Sequence, residues 1–312
     1  MPYPPPSDWI PPTIDTDTPS AARLYDYYLG GAHHFACDRE LAKQVVKLVP
    51  DAQFAAFANR RFLQRAVRWC ARTQGITQFI DVGCGLPTVG ATHEVARSVD
   101  PYARIVYVDN EPVAVAHSEL ILKDMAGIGV VGADLRHPRS FLDDPVTLRL
   151  IDFTEPVAVV LAAVMHFVVA ADDPAGIMRQ IRADLAPGSV VVISHGTADS
   201  DPAVMDVAHL YDEQSQNHTA VRTLAEVTAL FDGLRLVQPG VVWVPDWHPD
   251  TGITPAEAPS RSRLYAGVGE VTGLPRARTT RQATAQAALA SVLTEAGTTL
   301  EEAGATDTSW RP

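Results

Sequence analysis

The chain predicts an α/β protein built on a mostly parallel sheet and preceded by a helical segment. Three observations carry this. From Gln78 onward, short Val- and Ile-rich runs alternate with helical stretches, the pattern of strands joined by right-handed crossovers. Most of these runs have little polar interruption, as strands buried on both faces should. The first run ends in Gly83-Cys84-Gly85. Residues without a Cβ let a ligand approach the backbone, and the carboxyl end of a parallel strand is where open α/β sheets bind nucleotides.

In chain order, Met1 to Pro12 is proline-rich and predicts an irregular arm. Thr18-Pro19-Ser20 opens a helix with Thr18 as N-cap and Pro19 in the first helical position. That helix carries Tyr25, Tyr27 and Tyr28 and stops at Gly30-Gly31. Its aromatic residues are either a packing face or a lid over the ligand, with the Tyr27 hydroxyl reaching in. Asp38 to Leu48 and Asp51 to Thr73 read as two more helices divided by Pro50; Phe54, Phe57, Ala58, Phe62, Ala66 and Trp69 recur at helical spacing in the second.

The strand candidates are Phe79 to Val82, Arg104 to Val108, Gly129 to Ala133, Val157 to Ala163 and Ser189 to Ser194. Between them come a helix opening near Thr88 and including His93 to Val99, then helices at Pro112 to Met125, around Pro145 to Leu150, and at Ala175 to Leu185. Ala203 to Ser215 and Thr223 to Leu230 read as helices. Leu234 to Val244 reads as a strand bent at Pro239-Gly240, and Arg263 to Val268 as its antiparallel neighbour at the sheet edge. Arg281 to Ala296 could form a last helix. The predicted organisation is an arm and helical cap over residues 1–75, a ligand-binding domain over 76–272 and a tail over 273–312, part helical and part disordered.

The formal charge of -12, with 37 acidic and 25 basic residues, argues against a nucleic-acid substrate held mainly through its phosphates. The three cysteines, Cys37, Cys70 and Cys84, form no CxxC pair, which suits a reducing, cytoplasmic setting. The first residues lack signal-peptide character. The longest apolar run, Val157 to Met165, falls far short of the ~18 residues of a membrane span. His33, His34 and Cys37 are close together but no second cluster completes a tetrahedral metal set.

Three strand ends carry acids. Asp81 precedes the glycine turn. Asp109, at the end of the second strand and followed by Asn110, lies 24 residues beyond Gly85, where α/β nucleotide sites hold ribose hydroxyls. Its alternative role is to cap the helix from Pro112. Asp134 ends the third strand and could accept from an adenine amino group while Leu135 packs on the ring, or could be a plain loop residue.

These residues resemble the class I S-adenosylmethionine-dependent methyltransferases. Within that class the chain is similar to an actinobacterial S-adenosyl methyltransferase family formerly described as a domain of unknown function. The likeness rests on Tyr25 to Gly31, Asn59 to Leu63, Asp81 to Thr88, Tyr107 to Asn110, Ala133 to Arg136, His166 to Val168 and Pro187 to His195. It implies a Rossmann-like seven-stranded sheet of order 3-2-1-4-5-7-6, with strand 7 antiparallel, and S-adenosyl-L-methionine as cofactor. It further implies that the loop from Asp81 through Gly83, Gly85, Leu86, Pro87 and Thr88 holds the methionine part, Asp109 the ribose and Asp134 the adenine. Leu86-Pro87 replaces the third glycine of dinucleotide enzymes, which favours a methionine tail over a pyrophosphate.

The expected reaction is methyl transfer to oxygen or nitrogen of a small molecule. A base is needed only where the acceptor must lose a proton; His166, His195 and Tyr27 are the candidates, and each histidine could instead be structural. Met165-His166-Phe167 stands where methyltransferases of nucleobase amino groups carry Asn/Asp-Pro-Pro-aromatic, a second argument against nucleic acid. The alternatives are a non-catalytic S-adenosylmethionine-binding sensor or partner protein and a nicotinamide-dependent oxidoreductase. A homodimer is open to the chain, since the aromatic N-terminal helix could pack on a neighbour.

Overall fold

The computed structural model describes residues 15–87, 90–250 and 258–273. The arm from Met1 to Pro12, Thr88 and the Arg281 to Ala296 helix lie outside the described residues. Three helices come first, α1 (Ala21–Tyr28), α2 (Ala36–Leu48) and α3 (Ala52–Thr73). Alternation follows: β1 (Gln78–Val82), α4 (Thr92–Arg97), β2 (Arg104–Asp109), α5 (Pro112–Leu122), β3 (Ile128–Gly132), α6 (Pro138–Leu142), α7 (Pro145–Leu150), β4 (Ala158–Ala162), α8 (Pro174–Asp184) and β5 (Val190–Gly196). Then come α9 (Ala203–Gln214), α10 (Leu224–Ala229) and the strands β6 (Arg235–Leu236), β7 (Val242–Trp243) and β8 (Leu264–Glu270).

The strand order is β3-β2-β1-β4-β5-β8-β6, with β7 also paired to β8. β1 to β5 run parallel, and β8 lies antiparallel between β5 and β6. This is the expected order with one change of count, because the sixth strand is broken in two. Pro239 lacks an N–H for the ladder, and the chain turns at Gly240, where φ is +89°. From Leu236 to Val242 the chain takes six steps while β8 takes three, from Gly269 to Ala266. β5 also runs further than expected, so His195 is paired inside the strand, opposite Tyr265.

Alternate side chains of the buried strands enter two cores, as the period of a strand requires. Phe79, Ile105, Tyr107, Val160 and Val192 pack with Phe62, Val67 and Cys70 of α3 and with Trp247. Ile80, Val106, Val108, Val159 and Ile193 pack with Phe141 and Leu142 of α6 and Ile177 and Ile181 of α8. α3 is also tied to the chain between β7 and β8: Arg65 donates from Nε to the Trp247 carbonyl (2.9 Å) and from Nη2 to the Val244 carbonyl (2.6 Å).

A third, smaller core forms the cap. Leu24 and Tyr28 of α1 meet Leu41, Ala42 and Val45 of α2, with Tyr211 of α9 against them. The N-cap of α1 is Ser20, not Thr18. Pro19 therefore stands outside the helix, and the Thr18 carbonyl accepts from Arg23 Nη2 at 2.6 Å. Arg23 makes this start different from the sequence expectation. Its buried guanidinium also pairs through Nε with Asp38 Oδ2 and through Nη1 with Glu111 Oε1, both at 2.8 Å. The Asp38 carboxylate in turn accepts from the N–H groups of Ser20 and Phe35. One cation thus joins α1, α2 and the N-terminus of α5.

Arg23→Met should leave two carboxylates facing each other without their cation. Breaking a buried pair from one side costs about 3–5 kcal/mol, and urea denaturation should show a loss of that order. An unchanged midpoint would mean that the cap is held by its apolar core alone.

Candidate active site

The glycine turn leaves β1 and folds against the end of β2. Gly83 N–H donates to the Val108 carbonyl (2.8 Å) and Gly85 N–H donates to Asp109 Oδ2 (2.7 Å). Both glycines have positive φ, +66° and +59°, which L side chains rarely adopt. Space matters as well at Gly83, where a Cβ would come within 2.2 Å of Val164 Cγ2. The other oxygen of Asp109 accepts from Glu111 N–H at 2.9 Å. Asp109 is therefore held by backbone on both sides, and the helix cap of α5 is a different residue, Glu111, which accepts from Ala114 N–H.

Between this sheet edge and the helical cap lies a cavity of about 590 Å³, within the range of small-molecule sites. Asp81, Gly83, Gly85, Asp109 and Asn110 line one end. Val45, Val49, Ala52, Ala55, Val204 and Val207, with Tyr28, Phe167 and Tyr211, give much of the wall an apolar and aromatic character. His166 lines it too. Among the described residues, no group of three or more His, Cys, Asp or Glu side chains is arranged to hold a metal ion.

Several sequence-selected residues lie off this wall. Leu86 and Leu135 are buried, and Leu135 belongs to the core with Phe141. Asp134 turns to Arg136, whose Nη2 is 2.5 Å from Oδ2, and it is Arg136 that reaches the cavity. Tyr27 packs edge-on to Tyr28 and His34; its neighbours Tyr25 and Tyr28 line the cavity instead, because a helix turns successive residues to different faces.

Tyr25 belongs to a buried polar chain. Its hydroxyl donates to the Ala56 carbonyl (3.1 Å) and accepts from Asn59 Nδ2 (3.0 Å), while Asn59 Oδ1 accepts from Ser194 Oγ (2.5 Å). Ser194 Oγ accepts from Ala163 N–H (2.9 Å). α1, α3, β4 and β5 are thus joined around the cavity. Asn59 and Arg60 were visible as part of a sequence motif, but only folding shows that they face the glycine turn.

His166 lies in the helical turn Met165–Phe167 after β4. Burial, with the nearby Arg222 cation, lowers its pKa to about 4, and its Nδ1 is buried without a hydrogen-bond partner among the described residues. It is neutral at physiological pH and has a ring nitrogen to offer. His195 is wholly buried and does not reach the cavity. Arg222 Nη1 donates to its Nε2 at 2.6 Å, so Nδ1 carries the proton and donates to the Gly196 carbonyl at 2.7 Å. Arg222 also donates to the carbonyls of Met165 (2.9 Å) and Val168 (2.7 Å). His195 and Arg222, the latter unremarked in the sequence, brace the turn that carries His166.

Asp81 is pushed up to about 6 by burial, against the opposing effects of Thr92 Oγ1 at 2.6 Å and of the Arg60 cation. A ligand bringing positive charge to this end of the cavity would relieve that burden.

Comparison with known proteins gives this arrangement its setting. The model of a family described as S-adenosyl methyltransferase matches residues 7–272. The chain belongs to the S-adenosyl methyltransferase family. It is 37% identical to a methyltransferase candidate from Thermobifida fusca of known crystal structure, with a TM-score of 0.80 over 86% of this chain and 100% of that one. It is also 37% identical to a DUF574 family protein from Streptomyces avermitilis, with a TM-score of 0.79 over 82% of this chain and 99% of that one. A comparison with curated proteins finds no match.

S-adenosyl-L-methionine is accordingly the cofactor, and the nicotinamide alternative is set aside. The chain's own residues fit it. A Cβ is absent where the β1 turn meets the cavity, Asp109 presents a backbone-anchored carboxylate, and the wall carries both charges that a methionine tail requires.

Two histidines beside the site, His166 and His195, contribute to a pH dependence of stability. Burial lowers both below the ordinary value of 6.5. The unfolded chain then binds protons first, so the stability contributed by the neutral rings is full above pH 6.5 and is lost as pH falls toward 4. Asp81 acts oppositely, its raised pKa removing stability as pH rises from about 4 to 6. His195→Gln should therefore flatten the acid-side loss relative to the parent protein in thermal melts taken between pH 7 and 4. A parallel slope in both would show that His195 is not neutral in the fold.

Proposed function

We propose that this chain is an S-adenosylmethionine-dependent methyltransferase whose acceptor is a small molecule, methylated at oxygen or nitrogen. The observation that carries this reading is the cavity. It runs from the glycine turn and Asp109 to an apolar, aromatic-walled compartment that includes His166. A sensor would need room only for the cofactor; this cavity is walled beyond it for a second molecule. The net charge of -12 supports a small acceptor over nucleic acid.

When bound, S-adenosylmethionine supplies a methyl group already activated on a sulfonium, so the protein's part is orientation, exclusion of water and handling of one proton. In this reading Asp109 receives the ribose hydroxyls, and Asn110 lies beside it. Leu86 and Pro87 shape the turn from behind, while Asp134 bears on the adenine end through Arg136. Leu135 supports that end from the core.

His166 is the proton acceptor in this reading. A hydroxyl gains strong acidity as its oxygen is methylated, so a base with a pKa of about 4 is strong enough to take the proton. The same low pKa keeps the ring neutral at neutral pH, with one of its two nitrogens free to accept.

Calorimetric titration tests the donor side. S-adenosylmethionine and S-adenosylhomocysteine should bind and NAD should not; tight NAD binding with no response to the other two would sink the assignment. Asp109→Ala should weaken S-adenosylhomocysteine binding by about 10- to 100-fold, the worth of charge-assisted hydrogen bonds, with the far-UV spectrum unchanged. On the acceptor side, His166→Ala should lower kcat by about 10²- to 10⁴-fold while leaving S-adenosylhomocysteine affinity intact. Retention of kcat would remove His166 from the chemistry.

A further inference from the structure

Four arginines line the cavity: Arg23, Arg60, Arg136 and Arg263. Three are matched to carboxylates. Arg23 pairs with Asp38 and Glu111, Arg136 with Asp134, and Arg263 with Asp51 and Asp201. Arg60 alone has no carboxylate partner among the described residues, and its Nε is buried without a hydrogen-bond acceptor. A guanidinium nitrogen taken out of water without an acceptor is costly, and this half-buried group also lacks the carboxylate that its three counterparts have. Its fork matches the two oxygens of a carboxylate.

The position of Arg60 narrows which carboxylate. It projects from α3, next to Asn59 of the buried polar chain, and its Cζ lies 5.5 Å from the centre of the Tyr25 ring, whose face steadies a cation. Its charge acts on Asp81, Cys84 and Tyr107, which places it toward the glycine-turn end. Asp81, which lines the same end, offers the opposite charge. Thr92 occupies one oxygen of Asp81.

We infer that Arg60 is the carboxylate receptor of the cofactor site, gripping the methionine carboxylate while Asp81 faces the methionine ammonium. The two side chains form a matched pair for a zwitterion, and the amino-acid tail is anchored by the helical cap as well as by the sheet. The unpaired guanidinium then finds its partner only when ligand is present. This assignment rests on the reading of the cavity as an S-adenosylmethionine site. An anionic group on the acceptor is the other source of the same chemistry, and the test separates the two.

The test is calorimetry on the ligand-free protein with S-adenosylhomocysteine and 5′-methylthioadenosine, which lacks the amino-acid end. The parent protein should prefer S-adenosylhomocysteine by at least tenfold. Arg60→Met should weaken S-adenosylhomocysteine by about 10- to 100-fold and leave 5′-methylthioadenosine unchanged, which also reports that the site is folded. Arg60→Lys should recover part of the loss. If Arg60→Met keeps the parental preference in full, the carboxylate held is not the cofactor's and the inference is wrong. Equal losses for both ligands would make Arg60 structural and also overturn it. If the parent protein binds neither ligand, the cofactor assignment itself fails, an outcome distinct from the other two.

Discussion

The carboxylate of Asp109 is the constraint on which this architecture turns. One oxygen holds the N–H of Gly85 and the other the N–H of Glu111. The end of β2 is thereby tied to the turn after β1 and to the start of α5. Glu111 then reaches Arg23, and Arg23 reaches Asp38. A continuous line of polar contacts runs from the floor of the site to the cap that roofs it. Burial drives the Asp109 pKa up while its backbone donors pull it back.

A second polar chain does similar work on the opposite wall. Ser194, Asn59 and Tyr25 pass hydrogen bonds from the β4–β5 edge into α3 and α1. Arg222 and His195 brace the turn after β4 from behind. Polar groups placed so deep are tolerable only when satisfied, and satisfaction is what makes the walls rigid. Groups left without a partner therefore stand out. His166 Nδ1 and Arg60 Nε are buried, lack hydrogen bonds among the described residues, and belong to cavity-lining residues. In the proposed site one waits for the acceptor and the other for the cofactor.

Much of the fold was legible in the chain because its signals are local. The Val-rich runs and the glycine turn place β1 to β5 within a residue or two. The Pro239-Gly240 pair announced a bend, though not that the strand would divide, since that depends on how β8 runs alongside. The N-cap of α1 was misplaced for a related reason. Thr18-Pro19 is a good local start, but Arg23 draws the Thr18 carbonyl away in order to complete a bond set that includes residues far along the chain.

What the sequence by itself determined was the sheet, the glycine turn and the acid at the end of β2, because backbone conformation and burial period are written residue by residue. Which side chains share the cavity was decided by tertiary structure. Tyr25 and Tyr28 face it and Tyr27 does not, His166 lines it and His195 is spent on Arg222, and Arg136 stands in front of Asp134. Arg60 shows the limit most clearly. Any arginine in a helix looks alike in sequence; only the folded chain shows that its three counterparts have found carboxylates and that, among the described residues, it has not. Pairing is a property of distance, and distance between remote residues exists only after folding.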